Sequence, residues 1–229
     1  MQTFQLHHRD QNLLFAGDYR TLRECVEDAL RDGVDLRGVD LAHADLSEIN
    51  LDGANLHGAS FSSANLTGAN ISEAGLSHCN FSGAALFNTC LCHSNLSHSD
   101  FSDAAFGGTD VAGATLAHCI FSGGSALGLN LSACVTLDGA LYRTLHKSCR
   151  MSQIPLVVTG LTGPIVLFDE DVMIGQALYH CANSIWRPEH PVGGARDPLP
   201  HDLFKTITLL RAMRESNSPD SCIAMQKST

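Results

Sequence analysis

Residues 54–66 read Ala-Asn-Leu-His-Gly-Ala-Ser-Phe-Ser-Ser-Ala-Asn-Leu, and the same five-residue pattern continues along the chain in both directions. From residue 34 to 133 a large apolar residue stands at the centre of nineteen of twenty consecutive units, and Ala126 is the exception. The residue two places before the centre is small or apolar, and the residue just before it is usually Asp or Asn. Such a repeat predicts a solenoid, whose units bury their apolar side chains only by stacking.

A second period, of twenty residues, is superposed on the first. The phenylalanines at unit centres recur at this interval, and so does one set of leucines. They are Phe61, Phe81, Phe101 and Phe121, and Leu36, Leu56, Leu76, Leu96 and Leu116. A period of five alone does not place aromatic residues at multiples of twenty. We therefore expect four units in each coil, with residues twenty apart stacked into interior columns.

Units such as Ala44-Asp45-Leu46 and Ser99-Asp100-Phe101 resemble the pentapeptide-repeat family, whose pattern is roughly A(D/N)LXX, and the resemblance covers about 100 residues. It implies an all-β fold, a right-handed quadrilateral β-helix. Twenty units make about five coils, which at about 4.8 Å between hydrogen-bonded neighbours span roughly 24 Å.

The flanks of the repeat predict covers for its open ends. Thr21-Leu22-Arg23-Glu24 is typical of a capping box, and Gly33 can end the helix that follows it. The chain is thus predicted to have four parts. They are an N-terminal strand and capping helix in 1–33, the β-helix in 34–133, a small α+β C-terminal module in 134–215 and a disordered tail in 216–229.

Within the C-terminal module, short strands are predicted at 154–159, 165–168 and 172–174, and helices at 176–186 and from Asp202 onward. The last helix carries Leu203, Ile207 and Leu210 at helical spacing. Pentapeptide-repeat proteins often dimerise through a C-terminal element, so the resemblance implies a homodimer through these three residues. The stretch 160–175 resembles a tail module found behind pentapeptide repeats in bacterial and phage proteins, although Gln176 stands where that module more often has Cys.

Charge is distributed unevenly along the chain. Lys and Arg number 4 against 6 Asp and Glu in residues 1–33, 1 against 9 in 34–133, and 9 against 9 in 134–229. A repeat with Arg37 as its one cation repels phosphate backbones, so we expect no direct nucleic-acid binding. No apolar run long enough to span a membrane and no signal-peptide core appear in the sequence, which predicts a cytoplasmic protein with reduced thiols.

Three groups of residues are candidates for chemistry. His78, His98 and His118 are twenty apart, so their imidazoles should stack roughly 5 Å apart. Two interpretations are open: a site that binds a metal or responds to pH, and a polar corner that repeats along the coil. The run Cys90, Cys92, His93 resembles half a zinc site, but no complete tetrad forms by stacking. The acidic run 169–171, with His180 and Cys181, fits a solvated turn better than a nucleophile and base.

The sequence contains no phosphate-binding glycine loop, nucleophile elbow or zinc-protease helix, so we expect neither an enzyme, a cofactor nor a metal site. Resemblance to the quinolone-resistance group, whose members mimic DNA and bind gyrase or topoisomerase IV, suggests instead a protein that inhibits or modulates a type II topoisomerase or another DNA-handling partner. The predicted partner-binding acidic residues are Asp35, Asp40, Asp45, Glu48, Asp52, Asp100, Asp103 and Asp110. The alternative is a scaffold that spaces or dimerises the C-terminal module without DNA mimicry.

Overall fold

The structure is a computed structural model, and it describes residues 1–145, 147–158, 165–175, 177–182, 185–188, 205 and 207–212, with the backbone alone for 181, 182 and 185–188. The chain divides into two compact units, Met1–Pro155 and Leu156–Thr229. The predicted disordered tail and the dimer residue Leu203 lie outside the described residues.

The chain begins with an antiparallel hairpin of β1 (Gln2–His7) and β2 (Leu13–Tyr19), followed by helix α1 (Leu22–Arg31). The predicted capping box is present, since Thr21 Oγ1 accepts a hydrogen bond from the Glu24 amide at 3.2 Å. Glu24 Oε2 in turn accepts from the Arg20 amide at 3.0 Å. The helix ends at Arg31, and the φ of 73° at Gly33, just beyond the cap residue, lets the Val34 amide reach the Ala29 carbonyl at 2.9 Å.

Hairpin and helix together cover the open edge of the first coil. The Asp40 amide donates to the His7 carbonyl at 2.8 Å, so the hairpin continues the hydrogen bonding of one side. On other sides, Arg23 Nη1 donates to the Ser47 carbonyl at 3.0 Å and the Asn50 amide donates to Glu27 Oε1 at 3.1 Å. An edge paired in this way cannot template the pairing of another chain.

The repeat forms a β-helix-like coil in which parallel pairs join residues twenty apart. Most pairs are single bridges, for example Asp40 with Ser60 and Asn55 with Gly75. Longer pairings occur between β3 (Ala85–Phe87) and β5 (Ala105–Gly107), and between β4 (Asp100–Phe101) and β6 (Ile120–Ser122). Residues twenty apart therefore lie above one another.

The predicted phenylalanine column runs through the coil interior. Phe61, Phe81, Phe101 and Phe121 are at most 2% exposed, with successive ring centroids 5.0, 4.9 and 5.4 Å apart and ring planes within 8° of parallel. The leucine column from Leu36 to Leu116 is buried as well. Burial of this apolar area is the main stabilising contribution to a coil with few continuous strands.

Buried hydroxyls at the small position, two residues before the centre, bond back to the coil below. Thr89 Oγ1, Ser94 Oγ and Ser99 Oγ donate to carbonyls 23 residues earlier at 2.8, 2.6 and 2.8 Å. Each hydroxyl thereby satisfies its own hydrogen-bonding capacity inside the core, which explains why polar residues are tolerated there.

The stacking continues past residue 133, where the sequence predicts the end of the coil. Two 3-10 helices, Gly124–Gly128 and Leu131–Ala133, replace the regular units around Ala126 and absorb one additional residue. The next coil therefore pairs at a spacing of twenty-one, with β7 (Leu141–Arg143) on β6 and Tyr142 opposite Phe121. Strand β8 (Ser148–Arg150) then pairs antiparallel with β7.

The second unit contains an antiparallel sheet with the strand order β13-β12-β11-β10-β9. The strands are β9 (Leu156–Val158), β10 (Ile165–Leu167), β11 (Asp171–Ile174), β12 (Ala177–Ala182) and β13 (Ile185–Pro188). The helix predicted at 176–186 is thus wrong for the described part of that range, because short apolar runs fit either element and cross-strand pairing decides here. In the described part of the chain, no helix is long and apolar enough to cross a membrane.

Candidate functional site

The Asp or Asn before each unit centre has a structural role in the turn. Its side-chain oxygen accepts a hydrogen bond from the amide just after the centre. Examples are Asp40 to Ala42 at 3.1 Å, Asn80 to Ser82 at 2.9 Å and Asp110 to Ala112 at 2.9 Å. The short carboxylate or carboxamide fixes the backbone in this way, and both residue types do so equally well.

The predicted acidic residues form two groups. The first acidic rim lies on the first coil, and all of its side chains are exposed: Asp35, Asp40, Asp45, Glu48 and Asp52. The second acidic rim lies on the fourth coil, with Asp103 and Asp110 exposed and Asp100 half-buried. Asp40 and Asp100 belong to one column, because the bridges run from Asp40 through Ser60 and Asn80 to Asp100.

Three coil steps of about 4.8 Å separate the two rims, which is roughly 14 Å. Between residues 53 and 99 the one acidic residue is Glu73. The carboxylates therefore form two separate bands rather than one continuous stripe.

Hydrogen bonds to the turns keep several of these carboxylates ionised. The side chain of Arg37 hydrogen-bonds Asp35 and lowers the pKa of that carboxyl to about 2. Hydrogen bonds from Ser47 lower the pKa of Asp45, and the Ala112 amide together with the Cys92 thiol lowers that of Asp110. These groups therefore remain negatively charged throughout the neutral and mildly acidic range.

The three predicted histidines form an exposed imidazole ladder. The ring centroids of His78 and His98 and those of His98 and His118 are each 4.7 Å apart, with planes within 12° of parallel. His57, which the twenty-residue spacing does not predict, extends the ladder with its ring edge against His78 at 5.2 Å. Desolvation lowers the pKa of the central His98, and the neighbouring His118 and His78 lower it further.

The depressed pKa of His98 predicts a loss of stability on acidification. Because folding favours its neutral form, the stabilisation is fully present above about pH 6.5 and is lost as pH falls through the pKa of folded His98. Replacing His98 by Gln should therefore reduce the difference in urea midpoint between pH 7.5 and pH 5.

His43→Gln is the matched control for the ladder variant, because His43 occupies the same place in its unit, also at positive φ. An equal reduction of the pH effect in both variants would show that the ladder has no influence on stability.

The candidate half-site of Cys90, Cys92 and His93 does not assemble around one point. Cys90 Sγ and Cys92 Sγ are 3.2 Å apart, but the His93 ring lies over Gly113 in the next coil, where a Cβ would be only 2.2 Å from His93 Nδ1. Within the described ranges, no three His, Cys, Asp or Glu side chains are arranged to hold a metal ion.

The predicted acidic turn 169–171 is only partly a turn. Asp171 belongs to β11 and is 3% exposed, and its Oδ1 lies 2.9 Å from Nδ1 of His180, its partner across to β12. The predicted solvated turn is therefore wrong for Asp171, because antiparallel pairing, which no local pattern specifies, buries it beside His180. The contact satisfies a buried carboxylate, as burial of such a group requires.

Two of the three predicted dimer residues pack inside the second unit. Ile207 is completely buried against Ile165, Leu167 and Val172, and Leu210 is partly buried against the same core. Ile207 is thus not offered to a second copy, whereas part of Leu210 remains exposed.

A polar groove of about 770 Å³ lies between the N-terminal hairpin and the first coils, and sequence reasoning missed it. Arg37 pairs with Asp35, and Arg9 Nη1 donates to the Gly58 carbonyl at 3.3 Å. Only the pairing of the hairpin with the coil brings these groups together, so no sequence motif marks the groove.

Comparison with protein families agrees with the repeat pattern. Residues 54–131 match a model described as a pentapeptide repeat region, and residues 35–72 match a model of eight pentapeptide repeats. Residues 35–131 are therefore similar to pentapeptide repeats. Pentapeptide-repeat proteins are generally structural or interaction modules. None of the curated proteins compared matches the chain.

Several solved pentapeptide-repeat proteins are similar to this chain. A thylakoid-lumen protein of Arabidopsis thaliana is 35% identical, over 36% of this chain and 65% of its own, with a TM-score of 0.30. A protein of Nostoc PCC 7120 is 24% identical over 45% of this chain and 80% of its own, with a TM-score of 0.33. QnrB1, a plasmid-mediated fluoroquinolone resistance protein, is 18% identical over 45% of this chain and 60% of its own, with a TM-score of 0.21. The chain thus spans just under two thirds of the Arabidopsis protein.

Proposed function

We propose that the pentapeptide-repeat coil is a protein-binding rod whose acidic rims engage a DNA-handling enzyme or nucleoprotein of a bacterium or phage, and so inhibit or modulate it. DNA gyrase is the partner type that the family resemblance suggests. The observation that carries the proposal is the set of exposed carboxylates in a segment with nine acidic residues and one cation. That cation, Arg37, is already paired with Asp35.

The carboxylates are suited to binding because their orientation is fixed before a partner arrives. Asp40, Asp45 and Asp110 each accept a backbone amide of their own turn. Side chains that are already ordered lose little conformational entropy on association. Their charge also attracts a basic partner and accelerates the encounter.

In this function the repeat acts as a right-handed, four-sided β-helix of about five coils, a shape that the twenty-residue pairing and the five-residue unit support. Over roughly 24 Å, duplex DNA carries about 14 negative charges, at one per 1.7 Å, whereas residues 34–133 carry a net charge of 1 − 9 = −8. The rod therefore presents two acidic bands about 14 Å apart, and a partner needs two basic patches at that separation rather than a long groove for DNA.

A scaffold is the second candidate, and one specific observation favours it. Asn65 and Asn80 accept the same turn hydrogen bonds as the aspartates, at 3.2 and 2.9 Å. An aspartate before the unit centre is thus fully explained by folding. On this alternative the coil only spaces the second unit.

Replacing aspartate by asparagine separates the two functions, because the turn hydrogen bond is kept while the charge is removed. The variant Asp35→Asn, Asp40→Asn, Asp45→Asn should fold normally and bind DNA gyrase about ten-fold more weakly, since exposed ion pairs contribute roughly 0.2–1 kcal/mol each. Binding would be measured by calorimetry at several salt concentrations, together with gyrase supercoiling activity.

Asn80→Ser is the control, because it alters a turn between the two rims without changing the charge. If the wild-type chain neither binds gyrase nor alters supercoiling, and captures no other DNA-handling enzyme, this function is excluded. If binding is unaffected by the aspartate variant but is lost when the chain is truncated after Pro155, the scaffold is supported instead.

A further inference from the structure

Cys90 and Cys92 occupy a special pair of positions in the repeat. The residue before a unit centre and the residue after it lie side by side, because the centre itself points inward. In several other units this pair is a carboxylate or amide with a serine, and the two side chains are hydrogen-bonded. Ser102 Oγ donates to Asp100 Oδ1 at 2.5 Å, and Ser132 Oγ to Asn130 Oδ1 at 2.6 Å. The turn therefore brings the ends of two short polar side chains at these positions into contact.

In the unit 89–93, both of these positions are cysteines. Cys90 Sγ and Cys92 Sγ are 3.2 Å apart, and both residues are partly exposed. A disulfide has an S–S distance of about 2.05 Å. Bond formation therefore requires the two sulfurs to approach by only about 1.2 Å.

We propose that Cys90 and Cys92 are a dithiol site that a low-molecular-weight disulfide, of the glutathione type, oxidises to an intramolecular disulfide. In the first step the Cys90 thiolate attacks one sulfur of the external disulfide, whose S–S bond breaks as the mixed disulfide forms. In the second step Cys92 attacks Cys90 Sγ, which forms the Cys90–Cys92 bond and releases the second external thiolate. The protein loses two protons and two electrons, and the external disulfide takes up both and becomes two thiols.

Asp110 controls the second step of this exchange. Cys90 forms a β-bridge with Asp110 in the next coil, and the interaction of the Asp110 carboxylate with the Cys92 thiol lowers the pKa of Asp110. Desolvation and the contacts with Cys90 and Asp110 raise the pKa of Cys92 to about 12. Since the thiolate is the nucleophile, ring closure is slow at neutral pH and accelerates as pH rises.

Four other thiols provide an internal reference. Cys25, Cys79, Cys119 and Cys149 are buried. Cys79 and Cys119 in addition donate to the Leu56 and Leu96 carbonyls, at 3.2 and 3.0 Å. Burial raises the pKa of both thiols to about 12. They should therefore not react in the folded protein.

The test incubates the folded full-length chain in reduced and oxidised glutathione, then alkylates free thiols and maps them by mass spectrometry. We expect Cys90 and Cys92 to lose alkylation together and reversibly, with a peptide lighter by two hydrogens, while Cys79 and Cys119 are unchanged. Cys92→Ser should instead accumulate a glutathione adduct on Cys90. Asp110→Asn, which keeps the turn, should close the disulfide at least three-fold faster at pH 7.5 and flatten its pH profile.

Asp103→Asn, in the same coil as Asp110 but away from the thiols, should leave the rate of disulfide closure unchanged. Stable glutathione adducts on Cys90 or Cys92 of the wild-type chain, disulfides between chains through either residue, or full alkylation of both residues in oxidised glutathione would each overturn the proposal.

Discussion

Replacing Phe101 by alanine is expected to lower the free energy of unfolding by about 3–5 kcal/mol, the largest effect of any single substitution considered for this protein. The Phe101 ring is 1% exposed and lies between Phe81 and Phe121, with centroid distances of 4.9 and 5.4 Å. Its removal leaves a cavity that stacked coils cannot close, because their spacing is fixed by backbone hydrogen bonds.

The control for the interior column is Phe87→Ala, which removes a ring that is 43% exposed on the outside of the same coil system. That variant should lose less than about 1 kcal/mol. Urea unfolding followed by circular dichroism measures both values. Equal losses from the two variants would contradict an aromatic column in the core.

Replacing Val26 by aspartate should have the second largest effect, a loss of about 3 kcal/mol or more together with self-association. Val26 is completely buried on α1, between Arg23 and Glu27, which bond to Ser47 and Asn50 of the first coil. A carboxylate at position 26 would be buried with no counter-ion placed to pair with it. The helix should therefore detach and expose the edge of the coil that it covers.

Arg31→Ala changes the same helix at an exposed position and should keep the oligomeric state of the wild-type chain with nearly unchanged stability. Light scattering and urea unfolding compare the two variants. A Val26→Asp protein with the same molecular mass in solution and the same stability as the control would show that α1 does not protect the coil.

The sequence predicts the coil well because its information is periodic. A period of twenty in the phenylalanines requires one stacking geometry, and the observed pairing of residues twenty apart agrees with it. The N-terminal capping box was likewise recognisable, since Thr21 and Glu24 act within one turn of chain. Local and repeated interactions leave a pattern that can be read without a structure.

Contacts between distant or irregular segments leave no such pattern. The one-residue shift that carries the stack on to Tyr142 arises inside two 3-10 helices, where the repeat is already broken. The Asp171–His180 pair depends on strand register, and the burial of Ile207 depends on packing within the second unit. The sequence identifies the acidic residues that form the rims, but their division into two bands follows only from the coil geometry.

Cysteines introduced at Ser62 and Ser82 test most directly whether side chains twenty positions apart lie above one another. The two serine hydroxyl oxygens are 3.1 Å apart on neighbouring coils. The double variant Ser62→Cys, Ser82→Cys should form an intramolecular disulfide on mild oxidation, identified by peptide mapping. The variant Ser62→Cys, Ser77→Cys, with a spacing of fifteen, should not. A disulfide at fifteen and none at twenty would contradict the stacked coil.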